Sequence, residues 1–349
     1  MKKHRVAAQW EKRIRAGSWL VVRSKEEILS TLDENACLDG LPFQPEMFAF
    51  CGRKMQVAKV AHKTCDNIKK TGGRRMDRAF HLVGSRCDGA MHGGCQADCV
   101  FYWKADWLRP DDGAPVYSTN NGSNIKCHEQ DVYTRVRERG HENSNDPVWV
   151  CQTTALYDAT ELLHWWDVRQ YVKDVTSGNH SAWKIIKLLT AAGYRNIVGL
   201  GFGYSYLVRF YNAVQKLTGG NPYPGIQGKI AEGAKTPTEV LDLQVGEWVE
   251  VKSGEEIAST LTENGFNRGM RYDPEMLKYS NGRYRVQMKV NRLIDEITGK
   301  MVHIKNPCIQ LEDVYCRAEC TPMRLGCPRA SNTYWREIWL RRVDGPRTD

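Results

Sequence analysis

The chain has 349 residues, of which 41% are apolar and 26% are charged. These proportions are typical of a folded protein with two or three domains and exclude a disordered chain. The formal net charge of +9 favours acidic partners, such as nucleic acid, an acidic carrier protein or an anionic substrate. No apolar run approaches the length that a membrane span requires, so we expect no membrane partner.

The first segment, residues 1–15, is predicted to form a short basic helix. It lacks the apolar core and the cleavage site of a secretion signal, so we expect a cytoplasmic protein. The chain contains twelve cysteines. Because the cytoplasm keeps thiols reduced, clustered cysteines there indicate metal ligation or redox chemistry rather than disulfide bonds.

Residues 16–109 are predicted to form a β-rich domain with one helix. A short strand at 19–23 comes first. Ser24 then begins a helix as its N-cap, and Glu27 three residues later completes a capping box. Further strand-like runs follow and lead to an aromatic segment. Its two tryptophans are four residues apart, which predicts that both lie on one helical face and seal the domain.

Residues 110–244 are predicted to connect this domain to a second one. The part from 110 to 148 is rich in Asp, Asn, Gly, Ser and Pro, which is typical of a long irregular loop. Apolar residues recur with helical spacing over 153–175 and 181–217. We therefore predict a helical connector, followed by a Gly- and Pro-rich linker that ends near residue 238.

Residues 245–343 repeat the first domain. The match begins with Trp19 over Trp248 and continues, in order, along both segments. Such ordered self-similarity indicates an internal duplication. The corresponding residues include Ser24/Ser253, Glu27/Glu256, Leu32/Leu261, Pro45/Pro274, Glu46/Glu275, Met47/Met276, Trp103/Trp335, Trp107/Trp339 and Arg109/Arg341. A one-residue slip is needed to place Gly52-Arg53 over Gly282-Arg283.

The fold class that follows from these elements is α+β. We predict two homologous, small, SH3-like β-barrel domains, each with a capped helix and a cysteine cluster, joined by the helical connector. In the second copy the strands are expected at 283–290, 301–305 and 308–315.

Each copy contains enough cysteines for a four-thiolate metal site. By the repeat alignment Cys87 corresponds to Cys316, and Cys95 corresponds to Cys327. The other two ligands of each set differ, because Cys99 aligns with Ser331 and Cys320 lies in an insertion. The predicted ligands are Cys65, Cys87, Cys95 and Cys99 in the first copy, and Cys308, Cys316, Cys320 and Cys327 in the second.

Four thiolates suit either an iron–sulfur cluster or zinc. Neither copy contains the Cys-x2-Cys pair that is common in structural zinc sites, and Cys327 is followed by Pro328. These features favour two iron–sulfur clusters of the 4Fe–4S type, with two zinc ions as the alternative. A third interpretation is that the thiols bind no metal and pack as small apolar groups. Packing is the preferred interpretation for Cys37, Cys51, Cys127 and Cys151.

His81 and His92 lie near the first cysteine cluster and have no counterpart near the second. Either histidine could be a ligand or a proton donor, so both are candidate catalytic residues, with a structural role as the alternative. If one centre is catalytic, the histidines favour the first. The second centre would then be structural or an electron relay.

The segments 86–99, Arg-Cys-Asp-Gly-Ala-Met-His-Gly-Gly-Cys-Gln-Ala-Asp-Cys, and 327–341, which begins Cys-Pro-Arg-Ala-Ser, resemble those of an uncharacterised bacterial family associated with biosynthetic gene clusters. The resemblance covers most of the chain and implies a biosynthetic role.

We therefore expect a redox or tailoring enzyme with a small-molecule substrate and, as a further partner, an electron donor or an acidic carrier protein. The competing expectation is a non-catalytic zinc-binding module for nucleic acid or a partner protein.

Overall fold

A computed structural model describes residues 10–112, 126–138, 145–218, 223, 226–320 and 324–346. Its helices and antiparallel sheets give an α+β fold, as the sequence predicts at that level. The chain forms two compact units. Unit 1 comprises residues 1–185, 292–302 and 326–329, and unit 2 comprises residues 186–291, 303–325 and 330–349.

The strands, in chain order, are β1 (Trp19–Val22), β2 (Cys37–Leu38), β3 (Leu41–Pro42), β4 (Lys54–Val60), β5 (Lys63–Cys65), β6 (Gly73–Arg75), β7 (Ala79–Leu82), β8 (Trp103–Lys104), β9 (Leu108–Pro110), β10 (Glu161–Leu163), β11 (Trp248–Val251), β12 (Phe266–Asn267), β13 (Met270–Arg271), β14 (Arg283–Lys289), β15 (Arg292–Ile294), β16 (Met301–His303), β17 (Ile309–Leu311) and β18 (Leu340–Val343). The helices are α1 (Lys25–Leu29), α2 (Glu129–Thr134), α3 (Leu156–Ala159), α4 (Arg169–Thr176), α5 (Ala182–Val198), α6 (Tyr204–Thr218) and α7 (Gly254–Ala258).

The main sheet of unit 1 has the strand order β8-β7-β4-β1-β9. Its pairs are antiparallel, and the pairing of β4 with β7 shifts register between Val57 and Lys59. A smaller sheet in the same unit has the order β10-β6-β5. Leu20 and Val22 of β1 are fully buried and belong to the hydrophobic core, which therefore lies against the face of the main sheet that these two residues share.

The sheet of unit 2 has the order β17-β14-β11-β18, which matches four strands of unit 1. Adding 229 to both residues of the pair Trp19↔Gln56 gives the unit 2 pair Trp248↔Arg285. The same step converts Val57↔Leu82 into Val286↔Leu311, and the register shift recurs there. No slip intervenes, so the predicted match of Gly52-Arg53 with Gly282-Arg283 is wrong by one residue.

The two predicted capping boxes are confirmed. The Ser24 side chain accepts a hydrogen bond from the Glu27 amide, and the Glu27 carboxylate accepts one from the Ser24 amide. Ser253 and Glu256 make the same pair of bonds at the start of α7. Each box satisfies two amide groups that the first turn of a helix leaves without intrahelical partners.

The paired tryptophans do not lie on helices, so that prediction is wrong. Trp103 belongs to β8, and Trp107 ends a three-residue 3-10 turn. The same kind of turn holds Trp339 in unit 2. The indoles are fully buried, and Trp107 Nε1 donates to Thr31 Oγ1 at 3.1 Å. The tryptophans therefore close the two cores from a strand or from the turns between strands, and not from a helix.

The connector contains less helix than the sequence predicts. The apolar spacing over 153–175 becomes α3, then β10, then α4, because β10 pairs with β6. The predicted helical region 181–217 is confirmed as α5 and α6. Within the predicted basic helix, residues 1–9 lie outside the described residues, and Glu11–Arg13 forms a 3-10 turn.

Replacing Trp107 by alanine is expected to lower the free energy of unfolding of unit 1 by about 3–5 kcal/mol, because a fully buried indole is lost and leaves a cavity. Circular dichroism during urea unfolding measures this change. Trp165→Ala is the matched control, since Trp165 is exposed and its loss should change stability by less than about 0.5 kcal/mol. Equal effects of the two substitutions would contradict this placement of the core.

Candidate metal centre

A glycine-rich loop in unit 1, residues 87–95, presents the first predicted ligands; we call it the cysteine loop. The Cys87 amide donates to the Cys99 carbonyl at 2.8 Å, and the amides of His92 and Gly94 both donate to the Gly89 carbonyl at 3.0 Å. Gly89 has φ +70, and a Cβ there would lie 1.9 Å from the Cys95 carbonyl oxygen. The loop can therefore close only with glycine at position 89.

Glu46 lies against this loop and gathers its polar groups. Its Oε1 is 2.8 Å from His92 Nδ1, accepts the Met91 amide at 3.2 Å, and is 3.8 Å from the Cys87 thiol, which donates to it. Glu46 belongs to the 3-10 turn Pro45–Phe50, which Pro45 begins. Its other oxygen, Oε2, is buried and makes no hydrogen bond to any described residue.

Glu46, Cys87 and His92 thus form a compact group of donors. One ligand atom from each residue lies within 4.8 Å of the other two. Among the described residues, no other set of three or more Cys, His, Asp or Glu side chains is this compact. The side chains of His92 and Glu46 are 1% and 6% exposed. A thiolate, an imidazole and a carboxylate fit zinc, which binds all three donor types.

The second nitrogen of His92 also has close neighbours. Nε2 is 3.2 Å from the Val150 carbonyl oxygen and 3.3 Å from Gln44 Nε2. A neutral imidazole donates from only one of its nitrogens. Which of these contacts is a donated hydrogen bond depends on the tautomer. Coordination of a metal ion by Nδ1 would require the proton on Nε2, where the Val150 carbonyl can accept it.

The charges around Glu46, Cys87 and His92 favour binding of a cation, and they disfavour a free, nucleophilic Cys87 thiolate. Burial and the nearby Glu46 carboxylate both raise the pKa of Cys87 far above that of an ordinary thiol. Burial alone would also raise the pKa of Glu46, but its hydrogen bond to His92 lowers that pKa below the usual value. Without a bound cation Cys87 stays protonated, and a metal ion would release that proton.

Three further thiols lie around the group. Burial is the main cause of the raised pKa of Cys99, and the nearby Cys151 and Cys95 raise it further. Cys151 also raises the pKa of Cys87 and of Cys95. Cys151, for which the sequence favoured packing, therefore lies near three predicted ligands, Cys87, Cys95 and Cys99.

Backbone amides point at two of these sulfurs. The Cys95 Sγ accepts from the Ile294 amide at 3.3 Å, and the Ala97 amide also lowers its pKa. The Gly89 amide likewise donates a hydrogen bond to Cys87, which lowers the pKa of that thiol. Amide donors of this kind stabilise thiolate ligands at metal sites.

Cys65 is not part of the group of Glu46, Cys87 and His92. It ends β5, is paired with Gly73 of β6, and lines a small pocket with Arg74, Tyr157 and Glu296. Cys327 belongs to the segment of unit 1 at residues 326–329 and lies near Tyr102, whose pKa is raised mainly by burial against the opposing effect of Arg329. Neither thiol is gathered with Cys87.

In unit 2 two predicted ligands meet a glutamate at the position equivalent to Glu46. The Cys320 amide donates to Glu275 Oε1 at 2.5 Å, and Glu275 raises the pKa of Cys316 after burial, to about 12. Burial raises the pKa of Glu275 itself. Arg324, which forms a 2.7 Å ion pair with Asp273, supplies a nearby positive charge.

Cys308 is separate from that group. It lies next to β17, where its carbonyl accepts the Val290 amide at 2.8 Å. Burial raises its pKa to about 12, against the opposing effect of Arg336. Of the predicted second set, the structure therefore brings together Cys316 and Cys320.

His81, the other predicted catalytic histidine, is a buried residue of β7. Its Nδ1 lies 2.9 Å from the Phe101 carbonyl oxygen, to which it donates, and its ring is 4.5 Å from that of Tyr102. Nε2 makes no hydrogen bond to a described residue. Burial lowers the pKa of His81 to about 4, so the ring is neutral at pH 7.

Sequence reasoning missed Glu46 and Cys151. A signal for Glu46 existed, because the Pro-Glu-Met triplet at 45–47 recurs at 274–276. Cys151 has no repeat counterpart and stands alone in the connector. Its position depends on Gln152, whose Nε2 donates to the Tyr102 carbonyl at 2.9 Å and whose amide donates to Gln44 Oε1 at 3.1 Å.

No protein-family model, curated protein or solved structure matches the chain.

Gly89→Ala is expected to destabilise unit 1 by at least about 2 kcal/mol, because the added Cβ collides with the Cys95 carbonyl. Gly84→Ala is the control, since Gly84 also has positive φ, +71, but a Cβ there meets no atom within 4 Å. Its cost should be about 1 kcal/mol, from backbone strain alone. Equal losses in urea unfolding would refute the close packing of the cysteine loop.

His81 is expected to make the protein sensitive to mild acid. Folding lowers its pKa from 6.5 to about 4, so its contribution is complete above pH 6.5 and is lost as the pH falls towards 4. Between pH 7 and pH 5 this loss should be about 2 kcal/mol. His81→Gln, which keeps a donor for Phe101, should reduce the acid sensitivity of urea unfolding, whereas His164→Gln at an exposed position should leave it unchanged.

Proposed function

We propose that the protein is a zinc-binding protein whose metal centre lies in unit 1 and uses Glu46, Cys87 and His92. The observation that carries this proposal is the compact buried group itself, in which the three ligand atoms lie within 4.8 Å. The unpartnered Glu46 Oε2 adds to it, because a buried carboxylate oxygen without a hydrogen bond is costly unless a cation is near.

The donor types favour a single divalent ion. Zinc accepts sulfur, nitrogen and oxygen ligands in one tetrahedral site, whereas iron–sulfur clusters are held mainly by thiolates. Cys151 and Cys99 are the candidates for a fourth ligand, since both influence the Cys87 thiol. The metal would hold Cys87 as a thiolate and fix the cysteine loop on the turn that contains Glu46.

The near-complete burial of His92 and Glu46 supports a structural role for the ion, because catalytic zinc keeps an open position for water or substrate. We therefore propose a non-catalytic module that binds an anionic partner, for which the net charge of +9 is suited.

A second candidate is the iron–sulfur centre of a redox or tailoring enzyme. The observation that favours it is the shared neighbourhood of Cys87, Cys95, Cys99 and Cys151, which offers four thiols. The amide donors to Cys87 and Cys95 would suit cluster sulfurs as well as thiolate ligands.

We also propose that both sheets derive from one ancestral SH3-like unit whose two centres have diverged. The shared strand order supports this origin, as does the step between the copies, which is 229 residues from β1 to β7 and 232 residues at β9. In unit 1 the low pKa of Glu46 leaves a negative charge for a metal to neutralise. In unit 2 the raised pKa of Glu275 and the positive charge of Arg324 reduce that demand. We therefore expect one tightly bound ion per chain, in unit 1.

Metal analysis of the purified chain is expected to find about one zinc ion. Cys87→Ser and His92→Ala should each weaken zinc binding by about a hundredfold or more, because each removes a direct ligand. Cys65→Ser is the matched control, since Cys65 is a buried thiol of the same unit that lies apart from the group. It should retain the full zinc content.

Three results would overturn parts of this proposal. A brown anaerobic preparation that absorbs at about 400 nm and contains iron would replace zinc by an iron–sulfur centre. Loss of metal in Cys65→Ser would show that Cys65 is a ligand, as the sequence predicts. Full zinc content in both Cys87→Ser and His92→Ala would exclude the site altogether.

A further inference from the structure

Helices α5 and α6 form a hairpin that is joined by residues 199–203. From residue 186 onward it belongs to unit 2. The Tyr194 hydroxyl donates to the Leu207 carbonyl at 3.1 Å, and Arg195 Nη1 donates to the Tyr211 hydroxyl at 3.0 Å. The rings of Tyr194 and Tyr211 lie 5.7 Å apart. Polar and aromatic contacts thus hold the two helices side by side.

The hairpin leaves much of its apolar surface in water. On α5 the buried residues Leu188, Ala192 and Val198 recur at helical spacing, and α6 buries Tyr211. Large apolar side chains remain exposed on both helices and on the connecting loop, where Phe202 is 85% exposed. They are Ile186, Leu189, Ile197, Leu200, Phe202, Tyr206, Phe210, Val214 and Leu217. Single exposed apolar residues are ordinary, but this concentration indicates an interaction surface.

The charges of this region have one sign. No Asp or Glu occurs between Asp174 and Glu232, although the chain contains 41 acidic residues. The two helices carry the basic residues Lys184, Lys187, Arg195, Arg209 and Lys216. Arg195 is used internally, whereas Arg209 and Lys216 are exposed. A helical surface with apolar and aromatic groups beside basic ones has the composition of an interfacial membrane-binding segment.

We propose that the α5–α6 hairpin docks the protein on a membrane surface that contains anionic phospholipids. Leu200 and Phe202 enter the headgroup region, and Arg209 and Lys216 contact lipid phosphates. Among the described helices none is long and apolar enough to cross a bilayer. In this proposal the hairpin lies in the plane of the interface.

Charge argues against the other occupants of this face. A symmetric contact with a second copy would bring the basic residues of two hairpins together, and like charges in a contact are unfavourable. Nucleic acid would match the charge, but it would leave the aliphatic side chains Ile186, Leu189 and Leu217 without an apolar partner. An anionic bilayer is complementary to both features.

Co-sedimentation of the full-length protein with vesicles tests the proposal. We expect binding to vesicles of phosphatidylcholine mixed with phosphatidylglycerol, little binding to phosphatidylcholine alone, and weaker binding as salt increases. Arg209→Gln with Lys216→Gln should lower the affinity about thirtyfold. Leu200→Ser with Phe202→Ser should lower it at least about tenfold, because apolar insertion is lost.

The matched control replaces Val240 and Val245 by serine, since both are as exposed as Leu200 but lie outside the hairpin. Its binding should equal that of the unchanged protein. Circular dichroism shows whether the Leu200→Ser, Phe202→Ser double variant is folded. If it is not, Phe202→Ser alone provides the same comparison at the more exposed of the two side chains.

The proposal fails if neither vesicle type binds, or if the hairpin variants bind as well as the control. It also fails if the hairpin instead mediates dimerisation, seen as a concentration-dependent mass by light scattering that Phe202→Ser abolishes. Zinc content should be unchanged in the hairpin variants, so this test is independent of the metal centre.

Discussion

The constraint that both units share is a largely buried glutamate that accepts a backbone amide from a cysteine-containing segment. In unit 1 Glu46 accepts the Met91 amide, and in unit 2 Glu275 accepts the Cys320 amide, 229 residues further on. A carboxylate can be buried only if hydrogen bonds or an opposite charge compensate for lost hydration. Unit 1 supplies His92 as that partner, and unit 2 relies on amides and on Arg324. This difference in how the two carboxylates are compensated is the basis on which we propose that only unit 1 binds a metal ion tightly.

Local features of the fold could be predicted from the sequence because short-range interactions determine them. The capping boxes at Ser24 and Ser253 depend on residues three apart, and the helices over 181–217 follow from apolar spacing. Prediction was wrong where tertiary pairing decides the outcome. Residues 161–163 have helical spacing but pair with β6, and Trp103 joins the sheet instead of continuing a helix.

The candidate site shows the same division. The cysteine loop was visible as Cys87, Cys95 and the glycines around them, and His92 was singled out within it. The partners that complete the site come from distant parts of the chain, namely Glu46 from a 3-10 turn and Cys151 from the connector. A single sequence contains no distances, so the pattern indicated Cys65 as the fourth thiol of the first set and did not indicate that Cys151 lies near Cys87. The repeated Pro-Glu-Met triplet was a sequence signal for Glu46, which we propose as a ligand.

The α5–α6 hairpin differs from the rest of unit 2 in what stabilises it. The core under β11 and β14 is closed by fully buried residues such as Val249, Val286 and Trp339. The hairpin instead depends on the contacts of Tyr194 and Arg195, and most of α6 is exposed. Removing its exposed apolar surface from water would yield about 25 cal/mol for each Å², so a surface that covers the hairpin would stabilise it further. The absence of acidic residues between Asp174 and Glu232 favours the anionic membrane surface that we propose, because acidic side chains there would repel it.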